Sequence, residues 1–148
     1  MADFAASAAP AFAHGRAPVG AALHAALRVG AGLVFMQHGA QKLFGWFGGF
    51  GGQPGATAEL ASQMGLAGVL ELFGGLLVVM GLLTRPVAAV LVLLMLAAYG
   101  IAHVPQGAVP VQNGGELALL YALVFAYFAA NGAGPFSVDS RLHRGRAR

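Results

Sequence analysis

Four long apolar stretches dominate the chain, at 19–44, 62–83, 86–103 and 115–131, each bounded by residues that stop helices. Lengths of about 17 to 26 residues suit helices that cross a ~30 Å hydrocarbon core. The third stretch, "PVAAVLVLLMLAAYGIAH", is apolar on every face, as a lipid-exposed helix must be. The segments "FGGFGGQPG" and "VPQGAVPVQNGG" cannot continue helices and read as loops. "LLTRP" reads as a tight turn, with Thr84 placed to cap the following helix and Pro86 in its first turn. The pattern predicts an all-α protein: a four-helix transmembrane bundle over 19–135, a flexible or interfacial arm at 1–18, and a basic tail at 136–148. No internal repeat is visible, so a transporter built from inverted halves finds no support.

Composition strengthens the membrane reading. Of 148 residues, 58% are hydrophobic and 9% charged, against about 25% charged in soluble domains. The net charge of +3 comes without a basic polar face, so no nucleic-acid partner is expected. The chain has no cysteine, which excludes disulfides, thiol redox chemistry and iron–sulfur ligation by this chain itself. Arg16, Arg85 and the cluster Arg141, Arg144, Arg146 and Arg148 all fall on one side of a four-span topology. Both termini are therefore expected in the cytoplasm, in a bacterial-type inner membrane. Phe44, Trp46, Phe47 and Phe50 would then face outward, their rings in the headgroup belt.

Several charged and polar groups interrupt the spans. Counted from the span ends, Arg28 lies roughly 14 Å and Glu71 roughly 18 Å from the cytoplasmic side. Similar depth on consecutive antiparallel helices predicts an Arg28–Glu71 ion pair, with a protonated Glu71 as the competing solution. Gly68, Gly74 and Gly75 share a face with Glu71 and would admit a close neighbouring backbone. Arg28, Phe35, His38, Gly39 and Lys42 fall within one stripe of the first span. His103 and Glu116 reach the same outer side, with Gln41, Gln112 and Asn113 at similar height and Tyr99 one turn below His103. Tyr127 falls on nearly the same side of its span as Glu116. The expectation is an outward-opening polar pocket of Arg28, His38, Gln41, Lys42, Glu71, Tyr99, His103 and Glu116, narrowing to the Arg28–Glu71 pair. Each member also has a bland role. Lys42 would snorkel to the interface, His38 would bond a carbonyl, Glu116 would favour a helix N-terminus, and His103 would be interfacial.

The elements "RVGAGLVFMQHGAQKLFG", "LELFGGLLVVMGLLTRPVAAVLVLLMLAA" and "NGGELALLYALVFAYFAANGAGPFSVD" resemble the DoxX family of small membrane proteins. Arg28, His38, Lys42, Glu71 and Glu116 are the polar positions that match. The resemblance implies a four-helix transmembrane bundle. It also implies an association with redox and sulfur-handling complexes, since related proteins include a membrane subunit of a thiosulfate:quinone oxidoreductase.

The leading functional expectation is a membrane subunit of a redox complex that binds a quinone headgroup or a small sulfur anion in the outer pocket. Its partners would be the lipid bilayer and soluble or membrane redox subunits. Haem held by His38 and His103 is disfavoured, and no metal site is expected. Two alternatives stay open: a non-catalytic anchor that recruits enzymes through the basic tail, and a small solute or proton carrier. The substrate, any catalytic residue and the oligomeric state are not specified.

Overall fold

A computed structural model describes residues 18–146. The expected N-terminal arm, with Arg16, lies outside the described residues, as do Arg148 and the side chains of His143, Arg144 and Arg146. Among the described residues the fold is entirely helical. The helices are α1 (Pro18–Phe44), α2 (Gln63–Met80), α3 (Thr84–Ala98), the short α4 (Pro110–Asn113), α5 (Glu116–Asn131) and α6 (Val138–Arg146). Beyond α3 the chain keeps turning, as a π-helical turn at Tyr99–His103 and a 3₁₀ turn at Val104–Gln106. Three helical stretches, Pro18–Phe44, Gln63–Met80 and Thr84–Gln106, are long and apolar enough to cross a membrane, and Glu116–Asn131 is a shorter apolar helix.

The surface is inverted relative to a water-soluble protein. Leu23, Leu93, Leu120 and Leu123 are each more than half exposed, while Arg28, Glu71, His24 and Asn113 are buried. Apolar side chains pointing out and charged ones pointing in is the arrangement lipid selects. With the apolar helices, it makes this a membrane protein.

Two helix pairs carry most of the packing, α1 with α2 and α3 with α5. The buried positions of α1 are Ala21, His24, Arg28, Gly32, Phe35 and Gly39, with Ala40 beside them. They recur at steps of three or four, one face of a helix. Glycine lets that face meet α2 at backbone distance. A Cβ on Gly39 would lie 2.5 Å from the Leu72 nitrogen and 2.6 Å from the Gly68 carbonyl oxygen. A Cβ on Gly32 would lie 2.9 Å from the Gly75 carbonyl oxygen. Gly32 and Gly39 thus face Gly75 and Gly68, and the seven-residue spacing in both helices fixes one antiparallel register. Between α3 and α5 the contact is apolar and aromatic. Phe35 of α1 meets Tyr121 and Phe125 with ring centroids 4.9 and 4.8 Å apart. Leu91, Ala88, Met95 and Phe128 complete this core.

The turn between α2 and α3 is built differently from its sequence expectation. Gly81, in the left-handed region at φ 67°, ends α2. Thr84 does not cap α3: its Oγ1 is buried without a hydrogen-bond partner. Asp139 takes that role from α6, accepting from the Leu83 and Thr84 amides at 2.8 and 3.0 Å. A carboxylate at the positive end of the α3 dipole is favourable, and a side chain remote in sequence supplied it.

Candidate functional site

The buried face of α1 presents polar groups at two levels. Toward its N-terminal end are His24 and Arg28, one turn apart. Arg28 Nη1 donates to the carbonyls of Val78 and Val79, and Nη2 donates to the Phe136 carbonyl at 2.7 Å. Val78 and Val79 belong to the last turn of α2, where carbonyls run out of helical amides; the Val78 carbonyl also accepts from the Gly81 amide at 3.0 Å. The guanidinium therefore closes the C-terminus of α2, at the negative end of its dipole, and ties the segment after α5 to it. His24 does the same for α5. Its Nε2 faces the Gly132 carbonyl at 3.1 Å and its Nδ1 faces the Tyr127 hydroxyl at 3.0 Å. A carbonyl can only accept, so Nε2 carries the proton and Nδ1 accepts from the phenol.

The expected Arg28–Glu71 pair does not form. Depth counted from span ends misjudged the register. The glycine contacts place Arg28 beside the end of α2 and Glu71 beside the His38–Lys42 turn, about 10 Å further along α2. Glu71 pairs with Lys42 instead, Nζ to Oε2 at 2.6 Å, with side-chain exposures of 7% and 16%. Lys42 therefore turns inward and does not snorkel. Its stem passes over Gly68, where an added Cβ would come within 3.0 Å of the Lys42 Cβ. Burying either charge alone would be costly, and the partner offsets much of that cost.

Around this pair lies a cavity of about 460 Å³ between α1, α2, α3 and α5. His38, Lys42, Glu71, His103 and Tyr121 contribute its functional groups, and Phe35, Ala67, Met95, Ala98 and Leu117 are among its apolar walls. The His38 ring stands edge-on to Tyr121, centroids 6.1 Å apart at 88°. Neither His38 nitrogen has a hydrogen-bond partner among the described residues. His103 stacks on Tyr99 and directs Nδ1 to the Asn113 carbonyl at 2.9 Å. That bond fixes the proton on Nδ1 and leaves the Nε2 lone pair free. The π-helical turn brings His103 to the cavity, a device often found at functional sites. Buried Asn113 anchors the turn: its Nδ2 donates to the Gly107 carbonyl at 2.7 Å, and its Oδ1 accepts from the Gly115 amide at 2.8 Å.

Of the eight side chains expected together, the structure gathers four: His38, Lys42, Glu71 and His103. Arg28 stands at the opposite end. Gln41 donates from Nε2 to the Phe47 carbonyl at 3.2 Å and holds the glycine-rich loop. Tyr99 backs His103 from behind. Glu116 is exposed in the first turn of α5 and does not line the cavity. Tyr127 belongs to the His24 end. Sequence reading passed over Tyr121 and His24. Tyr121 was traceable as one of two tyrosines on the largely apolar α5, and His24 as the polar residue one turn before Arg28.

Chemically, the cavity offers a charge-balanced Lys–Glu pair, an unpartnered imidazole, a second imidazole acceptor and a phenol, within mostly apolar walls. Such a lining suits a neutral head that both accepts and donates hydrogen bonds. A bare anion would gain little, because the one ammonium present is already neutralised and Arg28 lies elsewhere.

Comparison with known proteins gives two matches. The family model described as DoxX matches residues 23–104. An uncharacterized protein of Haemophilus influenzae is 37% identical over 121 residues, covering 80% of this chain and 89% of that protein. No solved structure matches the chain.

Proposed function

The chain belongs to the DoxX family, and from that premise we propose that it is a membrane subunit of a redox complex whose outer cavity binds a quinone headgroup. The observation that carries this reading is the unpartnered His38 facing a buried Lys42–Glu71 pair inside an apolar-walled cavity. The carbonyl oxygens of a quinone accept hydrogen bonds, and those of a quinol also donate them. Lys42 Nζ and His38 supply donors, while the second Glu71 oxygen and His103 Nε2 supply acceptors. Arrangements of this kind bind both redox forms and hand protons between them. The small sulfur anion weighed from sequence is the weaker choice, since no uncompensated cation faces the cavity.

In this reading α1, α2, α3 and α5 all cross a bacterial-type inner membrane. The 16 residues of α5 rise about 24 Å, and α4 with the glycine turn at Gly114 extends the path at the outer end. Both chain ends lie in the cytoplasm, with Arg85 and Arg141 on that side. Transport through the protein is disfavoured, because Phe35, Phe125 and Phe128, each at most 1% exposed, close the core inward of the cavity.

The test is native mass spectrometry of the protein extracted in mild detergent. A retained quinone mass is expected, lost on competition with excess short-chain quinone. Protein recovered without quinone, and unable to take it up when supplied, would defeat the proposal.

A further inference from the structure

Beyond the turn at Gly81, α2 and α3 run close together only in their inner halves. Gly74 marks the contact, where a Cβ would lie 2.8 Å from a Leu91 methyl. Further out the two helices part, and the cavity occupies the space between Gln63–Ala67 on one side and Leu94–Ala102 on the other. The residues at the mouth of that gap are both wall and surface. Leu66 and Ile101 line the cavity and are 59% and 61% exposed, and Ala97 beside them is exposed as well. On a water-facing opening, large aliphatic side chains so exposed would be costly. Between two membrane-crossing helices they face acyl chains.

We infer that the gap between the outer halves of α2 and α3 is a lateral portal, through which the cavity takes a membrane-dissolved amphiphile with a long apolar tail. Its polar head lies at Lys42, Glu71 and His38, and its tail passes out between Leu66, Ala97 and Ile101 into the outer leaflet. The inference deepens the quinone reading and rests on it: it specifies that the ligand is a tailed one that arrives from the lipid, not from the aqueous outer face. The gradient inside the cavity supports this direction. The ionisable groups are His38 and Lys42 on α1, Glu71 held against Lys42, Tyr121 on α5 and His103, while the α2–α3 opening is lined by Leu66, Ala97 and Ile101, with Met64 and the uncharged Gln63 at its outer edge.

The experiment compares two ligands of identical benzoquinone head, one without a tail and one with a long alkyl tail, binding to the full chain in lipid nanodiscs. Ala97→Trp fills the gap without touching the polar end. It is expected to weaken the tailed ligand by about tenfold, the effect of two buried methylenes, and to leave the tailless one unchanged. Equal weakening of both ligands, or of neither, overturns the portal while leaving the cavity in place. Binding of neither ligand to the unmodified chain overturns the quinone reading itself. A second measurement does not depend on Ala97→Trp folding. Because the chain has no cysteine, Ile101→Cys accepts a single fluorophore. A quencher carried on the tail should quench that fluorophore, and bound tailed ligand that leaves it bright refutes the portal.

Discussion

Lys42 Nζ and Glu71 Oε2 meet at 2.6 Å across the α1–α2 interface, next to the outer of two levels, Gly39 with Gly68 and Gly32 with Gly75, where glycines on both helices bring the backbones together. Position and pairing are linked, since the stem of Lys42 lies over Gly68 and its head reaches the carboxylate one turn further along α2. Charge balance and close packing therefore depend on each other.

Removing one member of this pair should cost more than removing both. Glu71→Gln leaves a buried ammonium, and Lys42→Met leaves a buried carboxylate; each is expected to destabilise by about 3–5 kcal/mol. The double variant Lys42→Met/Glu71→Gln strands no charge and should recover much of that loss. Thermal unfolding in detergent, run as a double-mutant cycle, reads the coupling directly. Additive losses would mean that the pair contributes nothing as a pair.

The glycine contact makes a sharper prediction. Gly39→Ala places a methyl against the backbone of Leu72 and Gly68, which rotamer change cannot relieve. Overpacking of this kind costs about 1–3 kcal/mol, and here it should also pull Lys42 away from Glu71. Gly30 is the control, because nothing lies within 4 Å of an added Cβ there. Gly30→Ala should hold or raise the melting temperature, since alanine favours a helix interior over glycine by about 0.5–1 kcal/mol. Two variants with the same melting temperature would contradict the register.

Arg28 should act on the fold and not on ligand. Its three carbonyl contacts join α2 to the segment at Phe136, and such bonds to a charged donor are worth about 1.5–3 kcal/mol each at most. Arg28→Met should lower stability by several such increments in total. Arg28→Lys should recover only part, since an ammonium cannot fork between α2 and the later segment. Limited proteolysis near Phe136 should quicken in both. Quinone affinity of the folded fraction should not change, and a selective loss of affinity would place Arg28 in the site after all.

These outcomes mark where the sequence was readable. The all-helical class and the apolar helices followed from long apolar runs broken by glycine and proline. The polar stripe through His38 and Lys42 followed from helical periodicity. The partner of Arg28 did not follow, because depth was counted from span ends, whereas register is set by glycine contacts. Its signal was present as two pairs of glycines seven residues apart, Gly32 with Gly39 and Gly68 with Gly75. Asp139 capping α3 and His24 capping α5 join segments far apart in sequence, which no local pattern reports. The π-helical turn that delivers His103 has no sequence mark beyond Gly100.

Orientation is testable because the chain lacks cysteine. Gln53 and Leu142 are both exposed and lie at opposite ends of the helices. With both termini inside, Gln53→Cys should react with a membrane-impermeant maleimide on intact cells. Leu142→Cys should react only after permeabilisation. The reverse pattern would invert the topology and place the cavity on the cytoplasmic side.

His38 separates binding from folding most cleanly. Lys42 and Glu71 hold each other, and His103 holds the loop through Asn113, so replacing any of them disturbs structure and site together. His38 makes no hydrogen bond to the described protein; its ring rests edge-on against Tyr121. His38→Phe keeps an aromatic ring against Tyr121, with both nitrogens gone. Stability should therefore fall by no more than about 1 kcal/mol, the centre of the range for single substitutions, since no hydrogen bond is lost and the ring contact is kept. Quinone affinity should fall about tenfold, the loss of one hydrogen bond in an apolar site. Titration of a tailed quinone into nanodiscs, with unfolding curves on the same samples, measures both. Unchanged affinity would remove His38 from the site, and a large loss of stability would assign it a structural bond in place of a ligand.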